Sequence, residues 1–154
     1  MALSEKQKNK ARGWIRVTMV FVAVLLLFFS VVIPVINNAI ALGIENDLKE
    51  LPLPPNTALV ESISKAGKLV GNGNGMQYFG AVLIKSDLPA DELLSYYSDH
   101  DCSLSPQASS SIAIVDSELT YRHEEYSAGY YTAYRWGSAP DWLRDLLNTD
   151  VRGH

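Results

Sequence analysis

The pattern of apolar and polar positions divides the chain into an apolar N-terminal segment and a mixed body. Residues 17–36 carry no charged side chain, and 15 of these 20 residues are Leu, Ile, Val or Phe. A helix of 20 residues is about 30 Å long, which matches the hydrocarbon core of a bilayer. These side chains favour membrane insertion by roughly 4–9 kcal/mol. The pattern therefore predicts a transmembrane helix over residues 17–36.

A break in the apolar pattern follows the predicted span. Asn37 and Gly43 are weak helix formers, and the segment LPLPP at 51–55 excludes a helix. Chains rich in proline are extended and stiff. The sequence therefore predicts a Pro-rich stalk over residues 37–56 and a folded domain over residues 57–150.

Within the folded domain, strand patterns alternate with helix patterns. Strand patterns cover 57–70, 76–86, 111–118, 119–126 and 130–136, and helix patterns start near Pro89 and Pro140. Residues 76–86 are apolar on both faces, which predicts a central strand covered on each side. The order β-β-α-β-β-β-α predicts an α+β fold, a small antiparallel sheet of about five strands with two packed helices. Residues 150–154 are predicted to fray.

Charge predicts the direction of the span. The net charge of −4 is the sum of two opposite contributions. Residues 1–16 have five bases and one acid and are basic, whereas the other 138 residues have 8 bases and 16 acids and are acidic. Basic flanks stay in the cytoplasm. We expect a basic cytoplasmic tail over residues 1–16 and a single-pass membrane protein whose domain is extracytoplasmic, in the cell envelope. The acidic body argues against nucleic acid as a partner.

Cleavage after the apolar segment is the alternative to an uncleaved signal anchor. Ala39 and Ala41 form a small-x-small pattern, and Pro34 can end the apolar core of a signal peptide. The apolar run is longer than the roughly 7–15 residues usual in signal peptides. This length favours the anchor, and a secreted domain released after Ala41 stays as the alternative.

Residue types that carry catalysis are sparse. Cys102 is the only cysteine, so the chain has no internal disulfide. His100 lies two residues before it, which raises the hypothesis of a thiol-dependent hydrolase. Neighbouring residues at a helix end generally point apart, and a metal needs three or four converging ligands. We therefore expect no catalytic residue, no metal and no cofactor, and a protein that is not an enzyme.

Aromatic side chains give the clearest candidate surface. Tyr130, Tyr134 and Trp136 share one face of the last predicted strand. Such a row of rings stacks on sugars or peptides, or packs beneath a helix. Asn72 and Asn74 lie in a predicted hairpin turn that projects from the fold. The interpretation is a non-enzymatic binding or interaction module for an unknown protein or envelope partner, with a small-ligand or glycan binder as the alternative.

Three stretches carry a resemblance to a known group of proteins. They are LPLPPNT at 51–57 with GKLVGNGNGMQYFG at 67–80, IKSDL at 84–88 with ELLSYY at 92–97, and the ending YYTAYRWG at 130–137. Together they resemble a family of small, uncharacterised bacterial proteins with one N-terminal span and one outer domain. The resemblance implies a location and a fold, and it implies no activity.

Overall fold

The computed structural model describes residues 5–70, 75–114, 117–150 and 152. The N-terminal third is one continuous helical rod. It consists of α1 (Glu5–Leu27), a π-helical turn (Phe28–Val32) and α2 (Ile33–Glu50). Pro34 explains the π-helical turn, because a proline ring displaces the carbonyl four residues before it. In the wider turn the Ile33 N–H bonds to the carbonyl of Phe28, five residues back.

The first half of the rod is exposed and apolar. The large side chains of α1 from Trp14 to Leu27 lie on the surface. The helix over Asn9–Glu50 is the one helix of the described residues that is long and apolar enough to cross a membrane. By length and composition it is compatible with a membrane anchor or with a signal sequence.

The second half of the rod differs from the predicted stalk. Residues 37–50 are helical and pack on the sheet, and only Leu51–Asn56 forms an irregular connection. One face of α2 is buried at Ile33 and Pro34 and then at every third or fourth residue: Asn37, Ala41, Glu45 and Leu48. Burial of this face outweighs the weak helix propensities of Asn37 and Gly43.

The body is α+β, as predicted. Its elements are β1 (Thr57–Gly67), β2 (Gln77–Ser86), α3 (Ala90–Asp99), β3 (Ser103–Pro106), β4 (Ser111–Ile114), β5 (Ser117–Thr120), β6 (Tyr130–Gly137) and α4 (Asp141–Leu147). The main sheet has four antiparallel strands in the order β1-β2-β6-β3, and β4 and β5 form a separate two-stranded hairpin. The predicted single sheet of about five strands is therefore divided into four strands and two.

The predicted strands over 119–126 and 130–136 do not pair with each other. Strand β6 pairs with β2 and β3 instead, and the polar segment 103–106 becomes an edge strand. The chain before β6 is irregular because the Glu61 carboxylate of β1 accepts the N–H groups of Arg122 and His123, at 2.9–3.0 Å. These two N–H groups therefore do not donate to a neighbouring strand.

Strand β2 is the central strand, as its pattern predicts. Tyr78, Val82 and Ile84 face α2 and α3. Phe79 and Ala81 face the opposite way and pack with Ile114 and Leu119 of the β4–β5 hairpin, together with other side chains. The fold thus has three layers, with helices on one face of the sheet and the hairpin on the other.

Helix and sheet lie close together at Gly80. A Cβ atom at this position would lie 2.7 Å from the backbone nitrogen of Glu45 and 2.8 Å from the side chain of Ile44. No side chain larger than hydrogen fits without moving α2 away from β2. The absence of a side chain at Gly80 therefore sets the distance between the two elements.

We predict that Gly80→Ala lowers the free energy of unfolding by about 1–3 kcal/mol, the usual effect of overpacking a core. Gly43→Ala is the matched control, because a Cβ atom there meets no atom within 4 Å. In a helix interior, replacing Gly by Ala raises the free energy of unfolding by as much as about 1 kcal/mol. Thermal unfolding of the full chain in detergent micelles measures both. Equal stability of the two variants would contradict the close packing of α2 on β2.

Candidate functional site

A groove of about 490 Å³ lies between the β4–β5 hairpin and the β6–β3 edge of the sheet. We call it the aromatic groove. Its apolar lining includes Val70, Phe79, Ile112, Ile114, Tyr134 and Trp136. The ring centroid of Phe79 lies 4.9 Å from that of Trp136 and 5.6 Å from that of Tyr134. Trp136 is 40% exposed, so one ring of this cluster is accessible to a ligand.

Strand pairing assembles these rings. Phe79 and Trp136 are direct cross-strand partners of β2 and β6, on the sheet face that carries the hairpin. Side chains alternate along a strand, so Tyr134 lies on the same face as Trp136. Cross-strand aromatic pairs stabilise a sheet by about 0.2–1 kcal/mol. The rings are therefore held in place by the fold before any ligand arrives.

The predicted aromatic surface is divided in the structure. Tyr134 and Trp136 lie in the aromatic groove, whereas Tyr130 lies at the opposite end of β6. Its ring is 5.0 Å from the ring of His123 and 5.4 Å from that of Tyr126. Thr132, between the two groups, is fully buried. Asn72 and Asn74, the other members of the predicted surface, lie outside the described residues.

The polar rim of the groove depends on Gln107. Its Nε2 donates to the carbonyls of Ser109 and Ser111, at 2.6 and 2.8 Å, and its Oε1 accepts from Thr132 at 3.0 Å. The buried side chain thus fixes the loop that connects β3 to β4. Ser105 completes this polar side. This role is not predictable from the sequence, because a single glutamine in a polar segment is typical of any loop.

Cys102 and His100 lie close together, but their polar groups point elsewhere. The buried thiol donates to the main-chain carbonyl of His100 at 3.2 Å and accepts from Arg135 at 3.4 Å. The His100 ring donates through Nδ1 to the carbonyl of Tyr96, at 2.8 Å. Among the hydrogen bonds described, none joins the thiol to the imidazole. No metal-binding group of His, Cys, Asp and Glu occurs in the described part of the chain.

A second polar centre joins the rod to the C-terminal end. We call it the Asn37 hub, formed by Asn37, Tyr78, Asp150 and Arg152. Asn37 Nδ2 donates to Asp150 at 2.8 Å and to the Leu147 carbonyl at 3.1 Å, and its Oδ1 accepts from the Tyr78 hydroxyl at 2.7 Å. Asn37 and Asp150 are fully buried. The prediction that residues 150–154 fray is therefore wrong for Asp150.

Arg152 completes the Asn37 hub from the solvent side. Its guanidinium donates to both carboxylate oxygens of Asp150, at 2.7 and 3.0 Å, and to the Pro34 carbonyl of α2 at 3.1 Å. Arg152, assisted by Asn37 and opposed by burial, lowers the pKa of Asp150 to about 2. Burial and the Asp150 charge raise the pKa of Tyr78. The Asn37 hub is suited to holding elements together rather than to transferring protons near neutral pH.

The two alanines of the predicted cleavage pattern both lie in α2. Ala41 is buried against the sheet, and Ala39 is exposed. The pattern is therefore part of a packed helix in the folded protein.

Comparison with protein-family models, curated proteins and solved structures finds no match to this chain. The resemblance drawn from the motifs between residues 51 and 137 stays a prediction.

We predict that Asp150 gives the fold a distinct acid sensitivity. Its pKa of about 2 lies below the ordinary value of 3.8. Asp150 therefore stabilises the folded state above about pH 4 by about 2 kcal/mol, and this stabilisation is lost as the pH falls from about 4 to about 2.

Asp150→Asn should be less stable than wild type at pH 7 and should lose less stability on acidification. Unfolding midpoints of the full chain measured from pH 7 to pH 2 test this. Asp47→Asn, which alters an exposed carboxylate of α2, controls for the loss of one charge. A pH profile for Asp150→Asn that runs parallel to wild type would show that the hub does not depend on this carboxylate.

Proposed function

We propose that the protein is a single-span, membrane-anchored binding module of the cell envelope, and that its aromatic groove takes a small glycan. The observation that carries this proposal is the groove itself. It combines an accessible ring, Trp136, with a polar rim held by Gln107. Ligand sites are generally concave, mainly apolar and furnished with a few fixed polar groups.

The anchor is supported by the exposed apolar surface of α1. An apolar helical surface of this length is costly in water and favourable in a bilayer. The basic residues that precede it, including Lys10, Arg12 and Arg16, favour a cytoplasmic N-terminus. The sheet and its groove then lie on the extracytoplasmic side.

Retention of the anchor is supported by the packing of α2. Cleavage after Ala41 would remove Ile33, Pro34 and Asn37 from the protein, although all three are buried in the folded state. The Tyr78 hydroxyl and the Asp150 carboxylate would each lose a hydrogen-bond partner. An unsatisfied buried polar group costs about 1–3 kcal/mol. These contacts favour the uncleaved anchor over a released domain.

The groove favours a glycan for two chemical reasons. The apolar face of a sugar ring stacks on an aromatic face such as that of Trp136. The hydroxyls of a sugar then require donors and acceptors near the stack, which Ser105, Ser109 and Ser111 carry in the lining of the groove. The volume of about 490 Å³ falls within the range of roughly 300–1,000 Å³ that is typical of ligand pockets.

The enzymatic alternative has less support. The Cys102 thiol hydrogen-bonds to the main chain and not to the His100 imidazole, which would have to accept its proton in a thiol-dependent hydrolase. A role in binding therefore fits the geometry better.

We predict that the full chain in detergent micelles binds N-acetylchitotriose, used as a soluble probe, with a saturable heat in isothermal titration calorimetry, a readout that does not depend on Trp136. Trp136→Ala should weaken binding about tenfold or more, because a stacked aromatic contributes about 0.5–1.5 kcal/mol beyond the apolar area it buries. Trp142→Phe is the matched control, since this residue lies on α4 outside the groove, and it should bind as wild type.

Two results would count against the glycan. One is the absence of saturable binding by wild type. The other is equal affinity in wild type and Trp136→Ala. Binding of a proline-rich peptide in the groove, with no binding of the trisaccharide, would favour a protein partner in its place.

A further inference from the structure

The short helix α4 carries an apolar face that the fold leaves uncovered. Trp142 is 82% exposed and Leu146 is 37% exposed, whereas Trp14 on the apolar rod is 65% exposed. Residues four apart share one face of a helix, so Trp142 and Leu146 form a pair. Leu143 and Leu147 form a second pair, which packs into the core with Ile33. The helix therefore has one apolar face towards the protein and a second one towards its surroundings.

Two contacts fix the position of α4 along the rod. Leu147 belongs to the same buried cluster as Ile33. The carbonyl of Leu147 accepts from Asn37. These contacts place α4 beside residues 33–37 of the rod, where the predicted span of residues 17–36 ends. A bilayer around that span would have its outer boundary at the level of α4.

Basic groups gather at the same end of the domain. Lys65, Lys68 and Arg152 line a groove of about 620 Å³ that runs beside Asn38 and Leu42 of α2. Leu42 is six residues beyond the end of the predicted span, a distance of about 9 Å along a helix. That distance reaches the outer edge of the headgroup region, which extends about 5–8 Å beyond the hydrocarbon core. Cations at this level are favoured by lipid phosphates.

We propose that the Trp142–Leu146 face of α4 inserts into the outer lipid–water interface and holds the domain against the membrane. Tryptophan is enriched at this depth, where its ring is partly in the acyl region and its N–H reaches water. The apolar surface of α4 then continues that of the rod. The inference rests on the proposed membrane anchor.

A second copy of the chain is the weaker candidate for this surface. A stable protein interface buries about 800 Å² on each partner, which two side chains on a helix of seven residues do not provide. A bilayer needs no such area, because the rod already supplies the main apolar contact.

Single-tryptophan variants of the full chain test the proposal. Trp14→Phe with Trp136→Phe leaves Trp142 as the only tryptophan. Trp14→Phe with Trp142→Phe leaves Trp136, and it is the matched control. Trp136 lies farther from the predicted span than α4 does. Its neighbour Gly137 lies against Ile44, and Ile44 is eleven residues, or about 16 Å along the helix, beyond Ile33. Both variants are reconstituted in phosphatidylcholine–phosphatidylglycerol vesicles with lipids brominated near the headgroup.

The expected result is a blue-shifted Trp142 emission that falls by about half with the brominated lipid and is protected from aqueous acrylamide, as for an interfacial side chain. The Trp136 emission should be unaffected by the brominated lipid. Water-like Trp142 emission that acrylamide quenches freely, in protein that still floats with the vesicles, would overturn the interfacial helix and leave the anchor intact.

Two further outcomes also overturn the proposal. Failure of the full chain to float with vesicles would remove the anchor together with the interfacial helix. A blue-shifted Trp142 emission that the brominated lipid does not quench would assign this surface to another protein chain.

Discussion

The packing of α2 on β2 is the contact on which the rest of the structure depends. At Gly80 the backbone of the sheet approaches the helix so closely that an added Cβ atom would lie 2.7 Å from the Glu45 nitrogen. About two helical turns earlier, Asn37 joins β2 to the C-terminal end through Tyr78 and Asp150. The second half of the rod, α2, is therefore a structural part of the domain rather than an attachment to it. Because α2 and α3 cover one face of the sheet, the other face is left to the β4–β5 hairpin and the aromatic groove.

Much of the fold was predictable because it rests on local patterns. The uncharged run from Val17 to Ile36 is long enough to indicate a helix without any tertiary information. Residues of β2 are apolar on both faces, and the strand is covered on both faces. The prolines before α3 and α4 predict where those helices begin, and both helices begin directly after them.

The remaining features depend on contacts between distant segments. Asn37 and Gly43 weaken a helix locally, and only the sheet that buries one face of α2 makes residues 37–50 helical. The loop before β6 follows from the bonds of Glu61, which lies 61 residues before Arg122. From its position near the end of the chain Asp150 is expected to be exposed, yet its carboxylate accepts hydrogen bonds from Asn37 and Arg152. A single sequence gives no information on such pairs.

The same distinction applies to the candidate site. Strand alternation correctly placed Tyr134 and Trp136 on one face, but Phe79 joins them only through the register between β2 and β6. Tyr130 shares the alternation and still lies elsewhere, because the buried Thr132 separates the two ends of β6. Gln107 shapes the polar rim through hydrogen bonds that depend on the loop geometry. Alternation along a strand thus predicts which residues share a face, and strand pairing decides which residues form a site.

Hydrogen–deuterium exchange of the full chain in lipid nanodiscs tests the central claim most directly. The account predicts that the amides of residues 37–50 exchange as slowly as those of β2 and become exposed together with them, because α2 and the sheet form one cooperative unit. Fast exchange over residues 37–50, with β2 still protected, would contradict the account. It would show that the domain folds without its helix and that the segment is a flexible stalk.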